Sequence, residues 1–237
     1  MNISKQNTVA EVVTQNIKAA HIFKKYGIDF CCGGGISIEK ACTKHGVDYT
    51  LLENDIHGLD ATVSRANNYD QWELSFLIDH IVNVHHTYVK ESLPLILQYA
   101  EKVAQVHGHH YTEVVEIYTL FRAAAEELSG HLYKEEKILF PFIKAMDKAN
   151  KEGSDAPKPP FGSVNNPIQM MENEHENVGD VFKKIAALTN NYNPPAEACN
   201  TFRALYSKLE EFELDLHQHI HLENNILFPK AIKLEQG

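Results

Sequence analysis

One segment of this chain occurs twice, and it limits the possible fold more than any other feature. His131-x-x-x-Glu135-x-x-Ile138-Leu139-Phe140-Pro141 recurs as His219-x-x-x-Glu223-x-x-Ile226-Leu227-Phe228-Pro229. Residues at i and i+4 share one face of a helix, so each copy presents an imidazole beside a carboxylate. Both copies lie in long stretches whose apolar residues recur every three or four positions. The polar pair therefore falls on the face that should be buried. Desolvating an unpaired carboxylate is costly, and a chain that does so twice has a chemical reason.

Four such stretches are predicted as long helices: about 72–106, 111–146, 167–188 and most of the remainder. Gly108 breaks the first from the second. A connection rich in glycine and proline (Gly153, Pro157, Pro159, Pro160, Gly162) separates the second from the third, and Pro194-Pro195 the third from the fourth. This organisation predicts an all-α, up-down-up-down four-helix bundle. The expected apolar stripes are Ile78, Val82, His86, Val89, Leu93, Ile96, Ala100 and Val103; Phe121, Ala124, Leu128, His131, Glu135, Ile138, Phe142 and Ala145; Ile168, Met171, His175, Val178, Phe182 and Ile185; and Leu205, Leu209, Phe212, Leu216, His219, Glu223 and Ile226. A single histidine on an apolar face is usually a satisfied core residue. Here every stripe is interrupted, and the interruptions are His86, His131, Glu135, His175, His219 and Glu223. One shared cause accounts for them better than six separate ones.

That cause is a cation. Imidazole with carboxylate suits iron, zinc or manganese and excludes a thiolate centre in the bundle. Six ligands are too many for one tetrahedral zinc. Shared between two ions they supply two histidines to each, with two carboxylates free to bridge. An added oxo or hydroxo bridge would leave each iron an open position for a small molecule. Ferritin-like sites use four glutamates and two histidines; two carboxylates neutralise less charge, which favours release of iron. His85 competes with His86 from one position round the helix, but His86 keeps the stripe and pairs with His175 in the repeat. His107, His109 and His110 are read as solvated at a bundle end, with an auxiliary role left open for His107, and His217 and His221 as lying off the face of His219.

The first sixty residues read as a separate small helical domain, 1–60, with the bundle at 72–237. Thr8-Val9-Ala10-Glu11 matches a capping box that opens a helix stopping at Gly27. A loop follows, Asp29-Phe30-Cys31-Cys32-Gly33-Gly34-Gly35, then a helix from Ser37 to Gly46. Thr50-Leu51-Leu52-Glu53 matches a second capping box, for a helix ending before Gly58. Cys31 and Cys32 are candidates to relay iron, bind a small ligand or form a redox pair, with the helix N-terminus at Ser37 favouring thiolate; a purely structural pair stays equally open. Cys42 and Cys199 are read as inert core residues. Pro141 and Pro229 either bend their helices or end them.

A net charge of −10 argues against nucleic acid or an anionic membrane as partner. The N-terminus shows no signal peptide, and no apolar run is long enough to cross a bilayer. Four cysteines, two adjacent, are a poor disulfide framework, so a reducing cytoplasm is expected.

On these residues the sequence resembles the iron–sulfur cluster repair di-iron proteins (the RIC family, YtfE/ScdA-like). The segments that carry the likeness are Phe23 to Gly34, including the Cys-Cys-Gly-Gly run, Met171-Glu172-Asn173-Glu174-His175-Glu176, and the two H-x-x-x-E-x-x-I-L-F-P copies. The resemblance implies a haemerythrin-like bundle whose ligands are the same six residues. It also implies a cytoplasmic stress protein that restores clusters damaged by nitrosative or oxidative stress by supplying iron. Its implied partners are damaged iron–sulfur proteins and diatomic ligands such as nitric oxide or oxygen, with a homodimer left open. The alternatives are a nitric oxide or oxygen sensor and a nitric oxide-reducing di-iron enzyme.

Overall fold

The computed structural model describes residues 3–59 and 69–236. Met1, Asn2, Gly237 and the expected domain boundary at residue 60 lie outside the described residues. The protein is all-α: a helical bundle with a small N-terminal helical region and, among the described residues, no sheet, an isolated bridge between Thr8 and Ser37 aside. The chain divides into two units, Met1–Ile78 with His217–Gly237, and Asp79–Leu216. No helix among the described residues is long and apolar enough to cross a membrane.

In the first unit the N-terminal residues form four short helices, α1 (Val9–Gln15), α2 (Ala19–Lys25), α3 (Ile38–His45) and α4 (Tyr49–His57). Thr8 and Glu11 form the expected capping box. The helix it opens is shorter than predicted. Asn16 turns to an extended conformation, and its side chain accepts from the Lys18 backbone N–H at 3.1 Å. That local bond competes with the helical ladder and splits the expected single helix into α1 and α2. The second box is also corrected. Asp48, not Thr50, caps α4, accepting from the Thr50 and Leu51 N–H groups, while Glu53 accepts from the Tyr49 hydroxyl. α3 begins and ends as read, with Ser37 as cap and Gly46 in the left-handed region at φ 65°. α5 (Leu74–His80) starts the first long helix.

In the second unit α6 (Thr87–His107), α7 (Glu113–Lys134), α9 (Asn165–Leu188) and the part of α10 (Asn200–Leu222) before His217 are the long elements, with α8 (Phe140–Glu152) continuing α7. Phe121, Phe182 and Phe212 meet at its centre, with ring separations of 5.5 to 6.3 Å. All three rings are buried.

Three long helices contain a π turn: Ile81–His86, Glu135–Leu139, and Glu223–Leu227, the last leading into α11 (Phe228–Gln236). In each, an N–H bonds five residues back: Thr87 to Val82, Phe140 to Glu135, and Phe228 to Glu223. One extra residue per turn rotates everything beyond it. This corrects the second stripe. Past Glu135, Ile138 is exposed and Phe142 and Ala145 leave the core, while Leu139, Phe140, Ile143 and Met146 are buried. In the first long helix Ile81 is buried and Val82 only partly so. Pro141 and Pro229 do not end their helices; each is the second residue of the α-helix that follows a π turn.

Candidate metal centre

In the second unit the π turn of α7 places Glu135 at 0% exposure. One of its carboxylate oxygens, Oε2, lies 3.4 Å from His86 Nε2 and 3.3 Å from His131 Nε2. His131 Nε2 in turn lies 2.9 Å from His175 Nε2. His131, Glu135 and His175 each offer a ligand atom within 4.8 Å of the others. Four of the six predicted residues thus come from three helices of this unit and aim their inner atoms at one another.

The outer nitrogens are held as well. His86 Nδ1 donates to Glu136 at 2.9 Å, and His131 Nδ1 donates to Glu174 at 2.8 Å. Each outer carboxylate also takes a lysine, Lys90 on Glu136 and Lys134 on Glu174. The His131 hydrogen bond, with Lys134 beside it, holds the Glu174 carboxyl down to about 2. Burial alone would raise Glu136, but its bonds to Lys90 and His86 outweigh that and lower it. Bonds of this kind fix the ring and leave Nε2 as the inward donor, as behind most metal-ligating histidines. Sequence reasoning missed both glutamates. The only signal was position: Glu136 follows one stripe glutamate and Glu174 precedes a stripe histidine.

In the first unit His219 Nε2 lies 3.0 Å from Glu223 Oε1, and both residues are buried. Among the described residues the chain therefore carries two buried His/Glu clusters, consistent with a di-metal site. Their imidazole nitrogens and carboxylate oxygens, with no thiolate among them, fit iron.

His85 points elsewhere. Its Nδ1 meets Asp215 at 2.9 Å. His221, read as lying off the face of His219, is buried. Its Nε2 lies 3.3 Å from the Thr14 hydroxyl and its Nδ1 3.2 Å from the Asn225 amide. Asn225 also donates to the Cys31 carbonyl at 3.0 Å. Cys31 is buried, and its thiol donates to Asp29. The neighbouring Cys32 thiol, 3.9 Å away, and burial push its pKa well up, so the helix N-terminus does not make it a thiolate. Cys199 is exposed rather than core, with His107 Nε2 at 3.3 Å, whereas Cys42 is buried.

Residues 77–231 match the haemerythrin HHE cation-binding domain, and residues 5–60 match a domain of unknown function, DUF542. The iron–sulfur cluster repair protein YtfE of Yersinia pseudotuberculosis is 39% identical over 218 residues, which are 92% of this chain and 93% of that protein. A YtfE protein of Yersinia pestis matches to the same extent. The chain belongs to the iron–sulfur cluster repair family. A probable iron–sulfur cluster repair protein of Haemophilus influenzae, 36% identical over 96% of this chain and 97% of its own length, is a further member of the family.

Proposed function

We propose that this protein binds two iron ions through His86, His131, Glu135, His175, His219 and Glu223, and gives up iron to rebuild iron–sulfur clusters damaged by nitrosative or oxidative stress. The carrying observation is Glu135, wholly buried and met by two imidazoles whose outer nitrogens are already held by Glu136 and Glu174. Glu223, also wholly buried, pairs with His219. Bound iron would supply Lewis acidity and exchangeable positions for small ligands; the chain supplies donors, orientation and exclusion of water. Two carboxylates leave more positive charge uncompensated than a four-glutamate site does, which favours delivery over storage. The net charge of −10 supports protein clients rather than nucleic acid, and four free cysteines suit a cytoplasmic setting.

Incubating the iron-loaded protein with a dehydratase whose cluster has been destroyed by nitric oxide tests the reading. Recovery of dehydratase activity with matching loss of iron from this protein is expected. No recovery, with nitric oxide instead held as a stable adduct, would replace the donor by a sensor.

A further inference from the structure

The π turn of the first long helix does more than place His86. In an α-helix residues five apart stand roughly 140° from each other. A π turn closes one residue later, and across Ile81–His86 it brings His80 and His85 together. Their ring centroids are 5.7 Å apart with the planes at 83°. His85 is buried and His80 half-buried. Asp215, on α10 of the same unit, accepts from His85 Nδ1 at 2.9 Å through Oδ1. Its other oxygen, Oδ2, is buried and accepts no hydrogen bond among the described residues.

We propose that His80 and His85, with Asp215 behind His85, form a separate binding site for one divalent transition-metal ion. The hydrogen bond to Asp215 commits His85 Nδ1 and leaves Nε2 as its metal-facing atom, the usual orientation for a ligating imidazole. With metal–nitrogen bonds of about 2.0–2.1 Å, two imidazoles on one ion set their centroids roughly 5–6 Å apart, as here. A second carboxylate oxygen removed from water gains from a nearby cation. Paired imidazoles select zinc-, cobalt- or iron-type ions over magnesium and calcium. Two protein ligands leave the remaining positions to water, so the ion exchanges readily. His85 adjoins His86 in the chain, so this exchangeable site is next in sequence to the first His/Glu cluster. The site does not require the two-iron reading.

The test is equilibrium dialysis of the iron-loaded protein against a series of Co²⁺ concentrations, following cobalt absorption and measuring cobalt and iron per chain at equilibrium. The wild type is expected to take up about one cobalt more than His80→Gln or His85→Gln, with iron content equal in all three. Asp215→Asn should bind that cobalt about 10–100-fold more weakly. Equal cobalt uptake by wild type and both histidine variants would overturn the proposal and reduce the trio to a hydrogen-bonded link between helices. Should the buried His85→Gln fold poorly, the half-buried His80→Gln decides alone. A low iron count in the wild type would count against the two-iron centre, whereas the difference in cobalt uptake judges this site.

Discussion

His221 sits between Thr14 and Asn225, with the Phe30 ring 6.3 Å from its own. Burial lowers its pKa from the ordinary 6.5 to about 4. Between those values the unfolded chain takes a proton that the folded chain refuses, so stability rises with pH across the window. Above pH 6.5 both states leave the ring neutral and the term is flat. As pH falls from 6.5 to 4 the protein loses stability on the order of 3 kcal/mol from this one ring. Denaturant unfolding of metal-free protein at pH 7 and pH 5 measures it. His221→Gln should show a shallower loss between the two; parallel losses would remove His221 as the cause. Nothing in the sequence marked this residue, because its partner Thr14 lies far away along the chain.

The π turns explain where sequence reasoning held and where it slipped. The stripes on α9 and α10 were legible in full, from Ile168 to Ile185 and from Leu205 to Leu216, because both helices keep a regular period. The second stripe failed beyond Glu135, where an added residue turned Ile138 outward and Ile143 inward. Periodicity cannot foresee such an insertion, although Pro141 and Pro229 at matching places hinted at an irregular helix. Of the six polar residues, His131, Glu135, His219 and Glu223 stayed legible because they precede or begin a turn, and His175 because its helix has none; His86 closes its turn. The glycine run is a second case. A Cβ on Gly34 would stand 2.4 Å from the Phe30 carbonyl oxygen, whereas one on Gly35 would meet nothing within 4 Å. Gly34→Ala should therefore destabilise by about 1–3 kcal/mol, and Gly35→Ala by no more than about 0.5 kcal/mol. Thermal unfolding of the two variants compares them directly; equal effects would mean that the Cys31-Cys32 loop yields at little cost.

Over the whole molecule, stability and cation binding are linked. Glu135 and Glu223 are each at 0% exposure, and a ligand that binds only the folded chain adds its binding free energy to stability. Loading with iron should raise the melting temperature by roughly 5 °C or more. Glu135→Gln should melt at or above the wild type when both are metal-free, since it buries no charge, and should gain little on loading. Scanning calorimetry with and without a chelator gives all four values, and a wild type indifferent to iron would show that these carboxylates serve no cation.

The hold of Asn225 on the Cys31 backbone and of Thr14 on His221 has a practical sequel. Cutting away the first seventy residues spares all six candidate His and Glu ligands, so it looks like a clean way to isolate the haemerythrin-like part. Yet it would unclothe the turn that carries Glu223, because α1 packs on that turn. A trimmed protein would then hold a cation less firmly through a loosened tail, and its behaviour would say little about what the cysteine loop does in the intact chain.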